Sequence, residues 1–330
     1  MKAFIGKWWE NDAVYFSFLN LASKYECNEI FAISKKGNVV ENRLKTSAEI
    51  TCATSTLKQI VCMFKHRKEK ILVPDVFSCI LLSCFGFYCV FWVQGALSDE
   101  SLLRNRSKVR YWLLRTIEFL AFQFARELVF VSPYMADFYN ERYNLTDKQS
   151  ITPCLSDLSY NGDEKLKNSF CYTGGVSEWQ KIDWMLTIFN EIIEVRSNAT
   201  LHIATGNPEV FNVTAKKHLT NKAYNATNIC KISSRSKMES FLSKFEYGFL
   251  LREECVVNNV SSPIKLAEYL SCGVNVIMTS SIKSYYPIVK SYNAGVVLAS
   301  PQHFKVSQLC FNLENALNAY KAVTSIAEKK

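Results

Sequence analysis

Short apolar runs alternate with longer stretches of helical periodicity along most of this 330-residue chain. Runs rich in β-branched and aromatic residues are typical of buried strands. Stretches with apolar residues three and four positions apart are typical of helices that pack on a sheet. In the first half the predicted strands are KAFIG, EIFAIS, KILVP, CVFWVQG and ELVFVS. Because strands and helices alternate, the pattern predicts an α/β fold with a parallel sheet covered on both faces.

The alternation is interrupted at Ile151 to Asn168, where Pro, Gly, Asn, Asp and charged residues collect as they do in linkers. A second series follows, with predicted strands SFCYTGG, TLHIATG, NICKIS, YGFLL, VNVIMTS and AGVVLA and predicted helices Trp179–Val195, Lys237–Phe245 and Pro263–Cys272. We therefore expect two Rossmann-like domains, residues 1–155 and 156–303, and a C-terminal helix, residues 304–330, that packs back on the N-terminal domain. The cleft between the domains is the expected site, since ligands of open α/β sheets bind beyond the carboxyl ends of the strands.

One apolar segment, from Val76 to Val93, is uncharged over a length close to that of a minimal membrane-spanning helix. It follows Pro74 and Asp75 and contains Gly86 with several β-branched and aromatic residues. These features favour a buried helix followed by a buried strand over a membrane span.

The charge balance favours an anionic partner. The chain has 39 Lys and Arg against 30 Asp and Glu, a net charge of +9, which suits nucleic acid, a phosphorylated small molecule or an acidic membrane surface. No nucleic-acid-binding motif is recognisable, so we expect no nucleic-acid partner. Residues 104–126 interleave basic and aromatic residues. This segment either lies on an anionic membrane or forms an ordinary amphipathic helix with a solvated basic face.

The twelve cysteines are scattered through apolar segments without a CxxC pair, and the N-terminal stretch MKAFIGKWWEND lacks the apolar core of a secretory signal. We expect buried free thiols in a reducing cytoplasm. The four histidines have no ligand spacing and no Asp-x-Asp occurs, so no metal site is predicted.

The stretch SSPIKLAEYLSCG, from Ser261 to Gly273, is typical of a short helix with Ser262 as N-cap, Pro263 at the first position and a glycine after the end. Lys265 lies in the first turn, where the positive end of the helix dipole disfavours a cation. Two interpretations stay open. Lys265 forms an ion pair with Glu268 on a solvated face, or it holds an anion with the helix N-terminus while Glu268 accepts hydrogen bonds from hydroxyl groups.

Two loops of the second half carry further candidates. Arg252 ends the predicted strand YGFLL, and Asn258 follows in the loop before the helix. Gly174 and Gly175 end another strand, with Lys181 near the start of the next helix. This arrangement lets backbone amides and a lysine approach a phosphate, but it also suits a tight turn. Neither GxGxxG nor GxxxxGK is present, so the motifs predict no dinucleotide site and no P-loop.

In the first half, WVQGALSDES places Gln94, Gly95, Asp99 and Glu100 directly after a buried strand. The two carboxylates are placed to orient a substrate hydroxyl or to act as a base. They equally suit the first turn of the following helix, where the dipole favours negative charge.

Together and in this order, these segments resemble the GT-B glycosyltransferases, specifically family-4-like retaining enzymes of bacterial surface-polysaccharide assembly. The donor-site segment around the family's E-x7-E motif is similar to GFLLREECVVNNVSSPIKLAEYLSCGVNVI in this chain. The family's phosphate loop is similar to YTGGVSEWQKIDWML, and its acceptor-domain motifs are similar to the run from WVQGALSDESLL to ITPC. The resemblance covers roughly Phe91 to Leu298. It implies the GT-B fold, two Rossmann-like domains facing across a cleft.

The resemblance also implies an activity, that of a hexosyltransferase-type enzyme. It would move a sugar from a UDP- or GDP-linked donor to a glycan or lipid-linked oligosaccharide in O-antigen (lipopolysaccharide) or capsule biosynthesis. The transfer would be retaining and metal-independent, with the nucleotide-sugar as substrate and no further cofactor. The enzyme would act in the cytoplasm, at the inner face of the cell membrane, as a peripheral membrane protein with residues 104–126 on anionic lipid.

Residue by residue, the resemblance places Lys181, Lys265 and Arg252 near the donor diphosphate and Glu268 on the nucleotide ribose. The expected donor-binding residues are Gly174, Gly175, Lys181, Arg252, Asn258, Ser262, Pro263, Ile264, Lys265 and Glu268. The expected acceptor-binding residues are Gln94, Gly95, Asp99 and Glu100, and the expected catalytic residues are Asp99, Glu100, Lys265 and Glu268.

The chain departs from the family pattern at three positions: the first glutamate of E-x7-E is replaced by Val260, the loop arginine by Gly175 and the acceptor-side histidine by Gln94. These departures leave two other functions open. One is a catalytically inactive nucleotide-binding or scaffold subunit. The other is a nucleotide-sugar 2-epimerase, which the scarcity of histidine disfavours.

Overall fold

The computed structural model describes residues 1–7, 12–36, 46–145 and 149–326. The chain divides into two compact units, one from Met1 to Leu155 and one that begins at Ser156. Each unit is built on a parallel sheet whose strands are connected by helices.

The first unit contains, among the described residues, a seven-stranded parallel sheet in the order β3-β2-β1-β4-β5-β6-β7. Its strands are β1 Lys2–Gly6, β2 Glu29–Ile33, β3 Glu49–Ala53, β4 Lys70–Val73, β5 Tyr88–Val93, β6 Glu127–Phe130 and β7 Gln149–Ile151. The described helices are α1 Asp12–Lys24, α2 Thr56–Met63, α3 Val76–Cys84, α4 Leu97–Asn105, α5 Lys108–Phe124 and α6 Pro133–Tyr143. The chain direction across the sheet reverses between β1 and β4, which opens a crevice at the carboxyl ends of these strands.

The second unit contains a six-stranded parallel sheet in the order β10-β9-β8-β11-β12-β13 over its described residues. Its strands are β8 Leu166–Thr173, β9 Thr200–Ala204, β10 Thr227–Cys230, β11 Phe245–Leu250, β12 Asn275–Thr279 and β13 Gly295–Leu298. Its helices are α7 Ile182–Val195, α8 Pro208–His218, α9 Asn221–Asn225, α10 Arg235–Leu242, α11 Val256–Asn259, α12 Ile264–Ser271, α13 Tyr286–Ser291 and α14 Leu313–Ser325. Strand β8 lies beside β11, so the loops that follow these two strands lie at the same edge of the sheet.

The predicted parallel α/β architecture with two Rossmann-like domains is confirmed. The eleven predicted strands correspond to β1, β2, β4 to β6 and β8 to β13. Strands β3 and β7 were not predicted, because these edge strands have one neighbour each and mostly half-buried or exposed side chains. An edge strand of this kind lacks the continuous apolar run of a central strand. The two helices between β9 and β10 were not predicted either.

The segment from Val76 to Val93 folds as predicted, into helix α3 and then the buried strand β5. Asp75 caps the helix, since its Oδ1 accepts a 2.9 Å hydrogen bond from the amide of Ser78. Gly86 has a φ of +80°, which a glycine adopts without strain, and it turns the chain into the strand. No helix in the described part of the chain is long and apolar enough to cross a bilayer.

The predicted start of helix α12 is wrong by one residue. The helix begins at Ile264 with Pro263 as its N-cap, and no side chain caps it. Ser262 is therefore not the N-cap. Gly273, with a φ of +69°, follows the helix end as predicted.

The predicted helix Trp179–Val195 is divided in two. A short 3₁₀ turn covers Glu178–Gln180, and α7 begins at Ile182. Between them Lys181 has a φ of +45°, which interrupts the helical geometry.

The C-terminal segment forms a 3₁₀ turn at Val306–Gln308 and then helix α14, which packs on α12 and α13 of the second unit. Its return to the N-terminal domain remains a prediction. Residues 327–330 of the predicted helix, and residues 8–11 of the N-terminal stretch, lie outside the described residues. All twelve cysteines are free, and the expectation of buried thiols holds for Cys79, Cys89, Cys171 and Cys272.

Candidate functional site

The strongest candidate site in the second unit lies at the carboxyl ends of β8 and β11. The loop after β8 carries Gly174 and Gly175, the loop after β11 begins at Arg252, and the first turn of α12 carries Lys265. Because the two strands are parallel neighbours, their loops meet at one edge of the sheet, where open α/β sheets bind ligands.

Lys265 turns toward the β8 loop. Its Nζ donates hydrogen bonds to Oε1 of Gln180 at 2.8 Å and to the hydroxyl of Tyr172 at 3.2 Å, and it lies 4.4 Å from the centroid of the Tyr172 ring. Burial, reinforced by the nearby positive charge of Arg252, holds the pKa of Lys265 well below its ordinary value, and Glu268 opposes this only in part. The polar groups that bind the ammonium are neutral, and no carboxylate of the described segments forms a direct ion pair with it.

Glu268 is bound elsewhere. One guanidinium nitrogen of Arg235 lies 2.6 Å from Oε1 of Glu268, and Arg235 also forms an ion pair with Asp157. The interpretation of Lys265 and Glu268 as an ion pair on a solvated face is therefore wrong, and Glu268 is only 6% exposed. Burial raises the pKa of Glu268, and Arg235 opposes that rise.

Gly174 packs directly against the lysine. Its φ is +136°, and an added Cβ would lie 2.9 Å from Cε of Lys265 and would collide with Nζ. Glycine is therefore required at this position for both backbone conformation and space. Gly175 differs, since a Cβ there would meet no atom within 4 Å.

Arg252 contributes a second cation. Its backbone is fixed by the Thr279 side chain, whose Oγ1 accepts from the Arg252 amide at 2.9 Å and donates to its carbonyl at 2.7 Å. The side-chain Nε is buried and has no hydrogen-bond partner among the described residues. Burial lowers the pKa of Arg252 from its ordinary value. A buried donor without an acceptor is costly, which favours an anionic ligand at this place.

Lys181 is neutralised within the unit. Its Nζ lies 2.6 Å from Oε2 of Glu253 and 5.5 Å from the Trp184 ring centroid, and the hydrogen bond that Lys181 donates to Glu253 raises the pKa of Lys181. Lys181 would therefore have to exchange Glu253 for a phosphate before it could bind a donor.

The remaining predicted donor residues lie around the start of α12. Asn258 is buried and donates to the Glu253 carbonyl at 3.0 Å, so it fixes the β11 loop. Ser262 and Pro263 precede α12 and Ile264 is its first residue, all three half-buried. The amides of a first helical turn have no partner within the helix, and they favour an anion.

In the first unit, a cavity of about 480 Å³ lies beyond the carboxyl ends of β4 and β5. Gln94, Gly95 and Glu100 line it. The Gln94 amide donates a 2.9 Å hydrogen bond to the Pro74 carbonyl, so it holds the loop that follows β4. Glu100 lies against Gly95, where an added Cβ would collide with its carboxylate, and burial raises the pKa of Glu100.

Asp99 does not share the environment of Glu100. Arg142 donates to both of its carboxylate oxygens, at 2.6 and 3.2 Å, and the Arg142 guanidinium lies 4.1 Å from the Phe138 ring centroid. The structure therefore separates the two adjacent carboxylates, one on the cavity wall and one in an ion pair with α6.

Glu118, which the sequence analysis did not single out, supports this wall. It is 1% exposed and accepts hydrogen bonds from the Ser98 amide at 3.2 Å, the Ser98 hydroxyl at 2.6 Å and the Tyr139 hydroxyl at 3.0 Å. The N-cap residue of α4, Ala96, has no side-chain acceptor, so Glu118 satisfies the start of this helix from α5. Burial raises the pKa of Glu118.

Arg235 was also missed, since its only local signal is its place at the start of a helix after a serine. Within the described residues, no group of three or more His, Cys, Asp and Glu side chains is arranged to hold a metal ion.

No protein-family model matches this chain, and no curated protein matches it in sequence. Solved structures do match it. Sucrose-phosphate synthase from Thermosynechococcus elongatus has a TM-score of 0.70 at 11% identity, with 99% of this chain and 97% of that chain covered. The Anabaena protein Alr3699/HepE in complex with UDP-glucose has a TM-score of 0.68 at 10% identity, with 99% and 95% covered. WaaG, a glycosyltransferase involved in lipopolysaccharide biosynthesis, has a TM-score of 0.56 at 11% identity, with 100% and 96% covered. The chain therefore has the GT-B fold.

Proposed function

We propose that this GT-B chain is a glycosyltransferase that moves a sugar from a nucleotide-sugar donor, UDP- or GDP-linked, to a glycan or lipid-linked acceptor. One observation carries the proposal. Arg252 lies close enough to Lys265 for its charge to lower the lysine's pKa, yet neither side chain forms an ion pair with a described carboxylate, and Nε of Arg252 has no acceptor among the described residues. Two adjacent cations left without a counter-ion are stabilised by a doubly charged ligand such as a diphosphate.

Similar structures support a uridine nucleotide. The Anabaena protein was solved with UDP, with UDP and glucose and with UDP-glucose. On the same fold, we assign the diphosphate to Lys265, Arg252 and the first turn of α12, with Gly174 and Gly175 allowing its close approach. Lys181 binds a phosphate oxygen once its ion pair with Glu253 has opened. The Glu268 oxygen that Arg235 does not bind accepts a hydrogen bond from a ribose hydroxyl.

The proposed chemistry uses positive charge that the chain itself supplies. When the sugar leaves, negative charge grows on the β-phosphate, and Lys265, Arg252 and the α12 dipole stabilise it. In a retaining transfer, the acceptor hydroxyl attacks on the face from which the phosphate departs. A phosphate oxygen then takes the hydroxyl proton, and Glu100 orients the acceptor from the wall of the 480 Å³ cavity.

The acceptor class is the finer part of the proposal. One similar structure is a glycosyltransferase of lipopolysaccharide biosynthesis, which supports an O-antigen or capsule acceptor built on a lipid. Residues 104–126 support membrane contact at the cytoplasmic side. Trp112 and Leu113 are 60% and 61% exposed, and the segment's single acidic residue, Glu118, is buried.

Calorimetry with UDP, GDP, CDP and their sugars tests the donor site. We expect one nucleotide to bind the wild type. Lys265→Ala should lower the affinity for that nucleotide roughly ten- to a hundredfold, because it removes a hydrogen bond from a charged donor. Lys290→Ala, an exposed lysine of α13 in the same unit, is the matched control. The donor site is refuted if no nucleotide binds the wild type, or if the Lys265→Ala protein keeps wild-type affinity.

A second candidate function, a nucleotide-binding subunit without transferase activity, is favoured by Val260. This residue stands where the family has a glutamate, and it is fully buried. Its side chain therefore provides no carboxylate for the sugar. Nucleotide-sugar binding of undiminished affinity, without sugar release in single-turnover assays against lipid-linked acceptors, would identify this second function.

A further inference from the structure

Three helices of the first unit each expose a row of apolar side chains. The rows are Leu57, Val61 and Phe64 along and just after α2, Phe77, Leu81 and Phe85 along α3, and Val109, Trp112, Leu113, Phe119, Leu120 and Phe124 along α5. The three- and four-residue spacing places each row on one side of its helix. Among the residues that the structure describes, twenty large apolar side chains are exposed and thirteen of them lie between residues 57 and 124, so this exposure is concentrated rather than scattered.

The three rows belong to one surface. The connections β3-α2-β4, β4-α3-β5 and β5-α4-α5-β6 all move in the same direction across the sheet. Right-handed crossovers of one direction place their helices on one face of a sheet. Helix α3 packs on α5, and the Phe64 ring meets Phe87, just before β5, edge-on at 6.3 Å between centroids. We call this surface, formed by the three rows, the apolar face.

Basic residues are frequent in the segment that carries the apolar face. Residues 57–126 contain eleven Lys and Arg against five Asp and Glu, a net charge of +6 in a chain whose total is +9. Three of the five acidic residues are buried or already have a partner in the protein. Glu118 is buried, Asp99 is paired with Arg142 and Asp75 caps α3. Lys70 is paired with Glu127, and Arg104 lies 3.8 Å from Glu100, so part of the positive charge is compensated while the net charge of the segment stays positive.

A basic depression of about 570 Å³ lies at the amino ends of β5 and β6, beside the apolar face. Arg67, Lys68 and Arg126 line it with Gly86 and Phe124, and no acidic residue contributes to its wall. Phe124 belongs to the α5 row, so the depression is continuous with the apolar face. Its three cations suit a phosphate group, and its apolar rim suits the acyl chains attached to that phosphate.

We propose that the apolar face docks on an anionic phospholipid bilayer and that the depression between Arg67, Lys68 and Arg126 takes a lipid phosphate. The positive charge of the apolar face favours a bilayer over a second copy of the chain as its partner. Two copies meeting through this face would bring two surfaces of net charge +6 together, whereas an anionic bilayer neutralises them. The proposal extends the membrane contact proposed for residues 104–126 to three helices and adds a headgroup site.

The docked orientation has a consequence for the acceptor, which rests on the proposed transferase function. Phe77 begins the α3 row and also lines the 480 Å³ cavity that carries Glu100. Nine residues of helix span about 13 Å, so along this surface α3 connects the cavity with the side of the unit that carries the basic depression. The cavity therefore opens beside the bilayer, where a lipid-linked acceptor would be presented.

The test is co-sedimentation of the full chain with phosphatidylcholine vesicles, with and without phosphatidylglycerol, at low and high salt. We expect binding that needs phosphatidylglycerol and weakens with salt. Leu81→Ser with Phe85→Ser removes two apolar side chains from the bilayer, and Arg67→Glu with Arg126→Glu reverses two charges at the headgroup site. Each pair should weaken binding about tenfold or more. Val195→Ser with Val213→Ser, two equally exposed valines of the second unit, is the matched control.

The outcomes separate this proposal from the transferase function. If Trp112→Ser with Leu113→Ser abolishes binding while the α3 and arginine pairs do not, the three-helix face is wrong and only residues 104–126 bind lipid. If the chain ignores anionic vesicles but dimerises through these residues in sedimentation equilibrium, the occupant is a second copy and the proposal is overturned. Nucleotide affinity, measured without vesicles, reports on the donor site independently of either result.

Discussion

Oε1 of Gln180 accepts a 2.8 Å hydrogen bond from the ammonium group of Lys265, a residue 85 positions later in the chain. The same oxygen accepts a 3.2 Å hydrogen bond from the Tyr172 hydroxyl. A neutral amide thus orients Lys265 without neutralising it, which leaves the positive charge available to a ligand. This relationship distinguishes Lys265 from Lys181, whose partner is the carboxylate of Glu253.

Gln180→Glu tests this arrangement with almost no change of shape. A carboxylate at this position would form an ion pair with Lys265, raise its pKa and repel a diphosphate, so nucleotide affinity should fall by roughly tenfold. Gln180→Ala removes the hydrogen bond without adding charge and should cost less. Calorimetry of both variants measures their nucleotide affinity. If Gln180→Glu binds the nucleotide as tightly as the wild type does, the role given to Lys265 is contradicted.

Nucleotide binding should be linked to protonation of Lys265. Burial and Arg252 lower its pKa below the ordinary 10.5, so the neutral amine appears at lower pH than in a free lysine. A diphosphate favours the charged form, so binding takes up a proton once the pH exceeds the lowered pKa, and affinity falls as pH rises through that window.

Calorimetry in buffers of different ionisation enthalpy measures this uptake. Lys265→Arg keeps a permanent charge, because a guanidinium does not deprotonate in this range, and it should bind without proton uptake. Uptake that persists in Lys265→Arg would assign the proton to another group.

Gly174→Ala should damage both stability and nucleotide binding. Its φ of +136° is unfavourable for alanine, and the added methyl group would displace the Lys265 ammonium. We expect a loss of about 1–3 kcal/mol in the free energy of unfolding and a lower nucleotide affinity. Gly206→Ala is the control, since its Cβ would meet nothing within 4 Å. Urea denaturation and calorimetry measure the two effects, and a Gly174→Ala protein with wild-type affinity would show that the loop does not pack on the lysine.

The ion pair of Arg235 with Glu268 should be visible in a double-mutant cycle. Arg235→Ala leaves the 6% exposed Glu268 without its partner and should destabilise the chain by a few kcal/mol. Adding Glu268→Gln removes the buried charge and should restore part of that loss. Urea denaturation of the four proteins gives the coupling energy, and strict additivity would mean that the two side chains do not interact in solution.

Asp99 and Glu100 should behave differently despite their adjacency. Asp99→Asn breaks a bidentate pair with Arg142 and should mainly lower stability, whereas Glu100→Gln changes the cavity wall and should mainly lower the rate of sugar transfer. Thermal denaturation and transfer assays on both variants separate these effects. If both variants transfer sugar at the wild-type rate, neither carboxylate orients the acceptor.

The central strands were readable because a parallel strand buried on both faces leaves a continuous apolar run, as in the five fully buried residues of β2 and β12. The edge strand β7, with only the short sequence QSI and no buried residue, carries no such signal. The start of α12 was misplaced by one residue because Pro263 fits both the N-cap and the first helical position. In the structure the backbone of Pro263 is extended, with a φ of −68° and a ψ of 122°, so the helix begins at the next residue.

The candidate cations were also readable, because Lys265, Arg252 and Lys181 all follow predicted strands at the edge where ligands bind. The side chains that contact these charged groups could not be predicted from the sequence. Gln180, Glu253 and Arg235 lie 85, 72 and 33 residues from the groups they contact, so no local pattern connects them. Strand order places β8 beside β11, and that adjacency brings the loops together.

By itself, then, the sequence determined the parallel α/β elements and the positions of the charges along them, because burial follows local periodicity. Only the tertiary structure decided that Lys265 remains without a carboxylate while Glu268 is paired with Arg235. Electrostatic pairing acts over a few ångströms of space rather than along the chain, so it depends on which loops the sheet brings together.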